Sequence, residues 1–194
     1  MAINDEGLDV IFRAARTHRV WQDKPVTPAL LMAIYDLLRW GPTALNANPL
    51  RIVFVTSKDG KERLKPHLSS GNVEKTMAAP VTAILGYDTD FPKTLGKLNP
   101  HNPNMGASFT NAADNEITAF RNGSLQGAYF MTAARSLGLD CGPMSGFSNE
   151  GVDKEFFAGT AIKSNFLCNV GYGDASKLHP RAPRLAFDEA CTIV

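Results

Sequence analysis

Cysteine is scarce and scattered. Cys141, Cys168 and Cys191 are the only three, with no Cys-x-x-Cys and no Cys/His cluster at zinc spacing. That excludes a disulfide framework, leaves no metal site to name, and makes reduced thiols the expectation. No apolar run approaches the roughly 18 residues of a membrane-spanning helix, so no membrane partner is expected. Charge of one sign is also lacking: 20 Lys+Arg stand against 19 Asp+Glu, a net charge of +1. Nucleic-acid binders usually carry a strong basic excess, so none is expected as a partner. The start, Met1 to Glu6, is acidic and has neither the cationic nor the apolar stretch of a signal peptide, which makes the cytoplasm the expected location. Gly-x-x-x-x-Gly-Lys-Ser/Thr, Gly-x-Ser-x-Gly and His-Glu-x-x-His are all absent. No side chain stands out as a catalytic nucleophile.

What is present is enough for a core. The 194 residues are 44% hydrophobic, and a chain of this length buries roughly 70% of the surface it exposes when unfolded. One domain over residues 1–194 is expected, since no linker or repeat divides it. Leu8, Ile11, Phe12 and Ala15 recur at helical spacing and predict a first helix with one face on a core. Thr27-Pro28 predicts a capped helix start, Leu30, Leu31, Ile34, Leu37 and Leu38 its apolar face, and Gly41-Pro42 its end. Residues 51–56 and 81–87 are β-branched runs bounded by turn formers, hence strands, and 165–171 reads as a buried strand. Helical patterns fill 58–68, interrupted by Pro66, and 72–78, 116–137 and 149–157. Residues 89–115, rich in Pro and Asn, predict a long loop, and Gly142-Pro143-Met144-Ser145-Gly146-Phe147 a forced turn. Gly171-Tyr172-Gly173 follows a strand, but Ser176 replaces the third glycine of a dinucleotide fingerprint.

The remaining signals are cationic and amide-bearing segments at chain turns. In order they are Arg16-Thr17-His18-Arg19-Val20-Trp21, Gly41-Pro42-Thr43-Ala44-Leu45-Asn46-Ala47-Asn48-Pro49, Asn72-Val73-Glu74-Lys75, Gly142 to Phe147, and His179-Pro180-Arg181. Together they resemble the successive signatures of the nitroreductase family, over nearly the whole chain. The stretches Phe120-Arg121-Asn122, Gly138-Leu139-Asp140, Gly171-Tyr172-Gly173-Asp174 and Pro183-Arg184-Leu185 are similar to the malonic semialdehyde reductase branch of pyrimidine utilisation. One departure is visible: the family has a serine at the place of Thr17 and an arginine where this chain has Ala15.

The resemblance implies an α+β fold, with a central mixed, mainly antiparallel sheet flanked by helices, in an intertwined homodimer. It implies bound FMN at the interface and NAD(P)H as electron donor. Arg16, Arg19 and Arg181 would clamp the FMN phosphate, with Thr17, His18 and His179 beside them. A phosphate carries close to two negative charges, so a nearly neutral protein must concentrate cations locally to hold it. Asn72 and Lys75, one helical turn apart, would reach the pyrimidine edge of the ring. Pro143, Met144, Ser145 and Gly146 would bring a backbone N–H, that of Ser145, to flavin N5. Pro42, Thr43, Ala44 and Asn46 would cross to the partner subunit's flavin. Arg121 is a candidate anchor for a substrate carboxylate. Taken alone, each of these residues also reads as an ordinary surface cation, turn or helix terminator.

Three functions remain open at this stage. The first is a ping-pong FMN-dependent reductase of malonic semialdehyde giving 3-hydroxypropanoate. The second is a general nitroaromatic or quinone reductase of the same architecture. The third is a flavin-binding or dimeric interaction protein with little turnover.

Overall fold

A computed structural model describes residues 2–194. Asn4 caps the first helix, α1 (Asp5–Leu8), by accepting from the Gly7 N–H at 3.0 Å, and the chain continues as a π-helical turn, Asp9–Arg13. Neither piece buries a residue, and Phe12 is 59% exposed. The predicted apolar stripe is only partly covered: Leu8, Ile11 and Ala15 are half-buried and Arg135 donates to the Ile11 carbonyl at 3.3 Å, while Phe12 points outward. Helix α2 (Pro28–Leu38) starts as read: Thr27 accepts from the Leu30 N–H and Pro28 takes the first helical position. Leu31, Ile34 and Leu38 are buried, whereas Leu37 points outward.

Strand β1 (Leu50–Val55) leads through α3 (Lys58–Leu64), a 3-10 turn at Lys65–His67 that accommodates Pro66, and α4 (Ser70–Ala78) into β2 (Val81–Asp88). Helices α5 (Pro92–Leu98) and α6 (Ala112–Ser136) follow, then β3 (Asp140–Met144), α7 (Asn149–Phe156), β4 (Ile162–Gly171) and a short α8 (Phe187–Ala190). The strands are ordered β1-β2-β4-β3, and all three pairings are antiparallel. The mixed character expected of the sheet is confined to one isolated parallel bridge, Thr17 with Cys141, on the outer edge of β3.

Period-two alternation divides the core into layers. Val81, Ala83 and Leu85 of β2 and Cys168 and Val170 of β4 meet Leu31, Ile34, Leu38, Phe130 and Ala134 of α2 and α6. Ile84 and Leu167 face the opposite way, onto Leu64, Val152 and Phe157. Both faces of β2 are covered, which is why its run Val81 to Tyr87 is apolar almost throughout.

Two expectations are corrected. Residues 89–115 are not a bare loop. Pro92 begins α5, where a missing N–H has no intrahelical partner to lose. Phe91 and Leu95 are fully buried, with Met105 and Phe109 against them. The Gly142–Phe147 turn is also half strand: Gly142, Pro143 and Met144 pair with Asn169, Cys168 and Leu167. An edge strand needs only one side of its backbone for the ladder, so β3 tolerates the proline.

Candidate functional site

The outer edge of β3 is where most of the singled-out residues converge. Gly142 makes this possible, since a Cβ there would lie 2.6 Å from the carbonyl oxygen of His18. Without it, the segment 17–22 runs alongside. Thr17 bridges Cys141, and the His18 N–H donates to the Cys141 carbonyl at 3.0 Å. On its other side, Trp21 bridges Gly173 and the Gln22 N–H donates to the Tyr172 carbonyl at 2.8 Å. His18 is thereby buried. Its Nε2 lies 3.3 Å from Asp140 Oδ1, and Asp140 Oδ2 accepts the Gly173 N–H at 2.8 Å. Gly173 is glycine for a steric reason, because the His18 ring occupies the space of a side chain there. His18 Nδ1 is buried and has no hydrogen-bond partner among the described residues.

The C-terminal tail closes on the same segment. Arg181 donates to the carbonyls of Arg13 and Ala15, both at 2.8 Å, and Arg16 donates to the carbonyl of His179. From the other direction, Asn72 Nδ2 donates to the Gly146 carbonyl at 2.7 Å, which also accepts the Ser69 N–H at 3.0 Å. That ties α4 to the end of β3. Ser145 is exposed at this turn, whereas Met144 turns its sulfur inward to accept from Thr76 Oγ1. The carbonyl of Lys75 accepts from Trp21 Nε1 and Asn169 Nδ2, each at 3.2 Å.

The charges here are unbalanced. Among the described residues, Arg16, Arg19, Lys75 and Arg181 form no ion pair with a carboxylate. Burial, and secondly the Arg19 guanidinium, hold the Lys75 ammonium below its ordinary range. Cations crowded against one another without acids are relieved by an anion. The donor set therefore fits an anion such as a phosphate, while the buried His18 Nδ1 faces Gly173.

Pro42, Thr43, Ala44 and Asn46 are not part of this group. They precede β1, on the opposite edge of the sheet from β3. Ala44 N–H donates to Asn122 Oδ1 at 2.8 Å, and Asn46 Nδ2 to the Leu98 carbonyl at 3.0 Å. Leu45, Asn46 and Asn48 have φ of 53°, 53° and 43°, a cluster of left-handed non-glycine residues of the kind that marks functional straps. With Trp40, Tyr35, Ile52 and Phe54 this strap lines an open cavity of about 990 Å³. Arg121 also stands apart, exposed on α6 beside Ile117, Phe120 and Leu125.

Asp140, Trp21 and Gly173 stand inside stretches quoted from the sequence but receive no role there. The Gly171-Tyr172-Gly173 run was the available signal, and its spacing is explained by close packing: a Cβ on Gly171 would strike Pro80 and Trp21.

The model of the Nitroreductase family matches residues 12–172, and the chain belongs to that family. It is 53% identical over 194 residues to a Cupriavidus pinatubonensis protein provisionally named an NADH dehydrogenase/NAD(P)H nitroreductase, covering 97% of this chain and 98% of the relative. A Stenotrophomonas maltophilia protein with the same provisional name is 56% identical over 192 residues, covering 99% and 98%. Among solved structures, a provisionally named nitroreductase of Bacillus subtilis aligns with a TM-score of 0.87 at 22% identity, covering 98% of this chain and 100% of its own. A similarly named nitroreductase of Exiguobacterium sibiricum, solved in complex with FMN, aligns at 0.86 with 14% identity, covering 100% and 99%. These likenesses show the nitroreductase-like fold.

Proposed function

We propose that this protein is an FMN-dependent NAD(P)H oxidoreductase, built as one domain and active as a cytoplasmic homodimer, whose acceptor is malonic semialdehyde. The observation that carries the FMN assignment is the set of four cations without acidic partners around β3 and α4. Arg16, Arg19 and Arg181 would hold the phosphate, with Thr17 adding a hydroxyl and His18 and His179 framing the segment. Asn72 and Lys75 would meet the pyrimidine edge of the ring, and the Ser145 N–H would face N5, presented by Pro143, Met144 and Gly146. Bound FMN supplies two-electron hydride chemistry that no side chain of the protein offers. Overall, malonic semialdehyde, NAD(P)H and a proton give 3-hydroxypropanoate and NAD(P)+.

The strap at 42–46 supports the homodimer. It precedes β1, the edge of the sheet opposite β3, and joins the end of β1 that pairs through β2 with the start of β4, away from the stretch of β4 that β3 pairs with, so it would serve the partner's ring more readily than its own. Arg121 would receive the substrate carboxylate. A second reading is a general nitroaromatic or quinone reductase at the same site, and the word nitroreductase in the names of the curated relatives supports its nitroaromatic part.

Stopped-flow spectroscopy separates the readings. The purified protein should be yellow, bleach with NADH or NADPH, and recolour faster with malonic semialdehyde than with buffer alone. Recolouring only by nitroaromatics or quinones replaces the first reading with the second. A colourless protein that does not take up added FMN removes both. Arg121→Ala should raise KM for the semialdehyde with FMN retained; an unchanged KM removes that role.

A further inference from the structure

Lys61 is the only buried lysine or arginine among the described residues, and nothing in the site above uses its charge. It rises from α3 between α4 and β2. Its ammonium donates to the carbonyl oxygen of Thr76 at 2.8 Å and to the hydroxyl of Thr82. No carboxylate pairs with it among the described residues. Thr82 passes its own hydrogen to Asn169 Oδ1 at 2.6 Å, and Asn169 Nδ2 donates to the Lys75 carbonyl at 3.2 Å. The result is a buried polar chain from α3, across β2 and β4, to the last turn of α4.

That last turn needs donors. The final four carbonyls of a helix have no intrahelical partner, and in α4 they belong to residues 75–78. Trp21 and Asn169 serve Lys75, and Lys61 serves Thr76. At the other end Ser69 makes no side-chain capping bond, and α4 is held there by the Gly146 carbonyl, which accepts from the Ser69 N–H and from Asn72 Nδ2. A helix of nine residues with Gly71 near its start is marginal on its own, so its position rests on these fastenings. A neutral donor would satisfy the Thr76 carbonyl at lower desolvation cost, yet a lysine stands there. Burial pushes its amine down to about 7, so near neutral pH charged and neutral forms coexist, and either one has N–H groups to donate to the Thr76 carbonyl. Its place suits a cation, at the negative end of α4, behind the face that presents Asn72 and Lys75.

We propose that Lys61 is a positioning residue: it clamps the last turn of α4 to the sheet and so fixes Asn72 and Lys75 at the edge of the flavin. The flavin half of this inference rests on the function proposed above, whereas the clamp itself does not. Two measurements on the full chain keep the two apart. Without FMN, hydrogen exchange of the α4 amides in Lys61→Met should be at least about tenfold faster than in the unsubstituted protein, with α6 unchanged. Unchanged exchange in α4 overturns the clamp. Should Lys61→Met not fold, Thr82→Val cuts the chain one link further on and should accelerate the same amides.

With FMN, Lys61→Met should weaken binding about tenfold in the unsubstituted background but less than about twofold in a Lys75→Met background. Equal losses in both backgrounds overturn the action through Lys75, because a general loss of stability would be additive. Failure of the unsubstituted protein to bind FMN overturns the flavin half and the function together, and leaves the exchange result to decide the clamp.

Discussion

Lys75 is strained electrostatically before any ligand arrives, first by burial and then by the Arg19 guanidinium, which together lower its affinity for a proton. FMN binding favours the charged amine. Above the lowered value, binding must take up a proton, so affinity should fall by up to tenfold per pH unit. Arg19→Ala removes the second cause only. It should weaken FMN by about one to two decades, from the roughly 1.5–3 kcal/mol of a charge-assisted hydrogen bond. It should also shift the onset of the alkaline fall upward. FMN fluorescence titrations from about pH 6 to about pH 10 read both effects, and an onset identical in the two proteins refutes the Arg19–Lys75 coupling. The proposed phosphate cations were legible only through the resemblance of the segments that carry them, since Arg16, Arg19 and Arg181 taken singly read as ordinary surface cations. Asp140 was not, since its value lies in two partners, His18 and the Gly173 N–H, that only folding brings to it.

At the level of elements, β1, β2, β4 and the long helices were legible because their periodicity matches the layers that bury them. Strand β3 was hidden by the turn chemistry of Gly142-Pro143, which an edge strand permits, and α5 by a proline that starts a helix instead of breaking one. The same glycine gives a test of how β3 shapes the site. In Gly142→Ala the new Cβ stands 2.6 Å from a backbone oxygen, that of His18, which no rotamer change can relieve. Segment 17–22 must withdraw, at about 1–3 kcal/mol of stability. Because this segment carries Thr17 and Arg19, FMN affinity should drop as well. Gly138→Ala is the contrast: φ there is 77° with open space around it, so about 1 kcal/mol of stability is lost and FMN is unaffected. Urea unfolding and FMN titration of both variants decide it, and a Gly142→Ala protein that binds FMN normally separates the 17–22 segment from the site.

For the molecule as a whole, the surface is less neutral than the net charge suggests. Cations gather at one edge of the sheet, while Trp40, Met32 and Tyr35 present an apolar face near the other, with Trp40 79% exposed. Phe12 adds a second outward apolar patch on the N-terminal π-helical turn. Patches of this kind mark interfaces, and an obligate homodimer commonly buries more than about 2,000 Å². The same apolar face flanks the 42–46 strap, so pairing two chains over it would cover the surface and carry the strap to the second cationic edge in one step. Sedimentation velocity should therefore give a dimer of the 21.0 kDa chain. Trp40→Glu places a charge on that exposed apolar face and should yield monomers that release FMN, although none of the cations has been touched. Monomers that keep FMN at full occupancy would show that one chain completes its own site, and the strap would then need another purpose. A dimer unaffected by the substitution would move the interface away from α2 altogether.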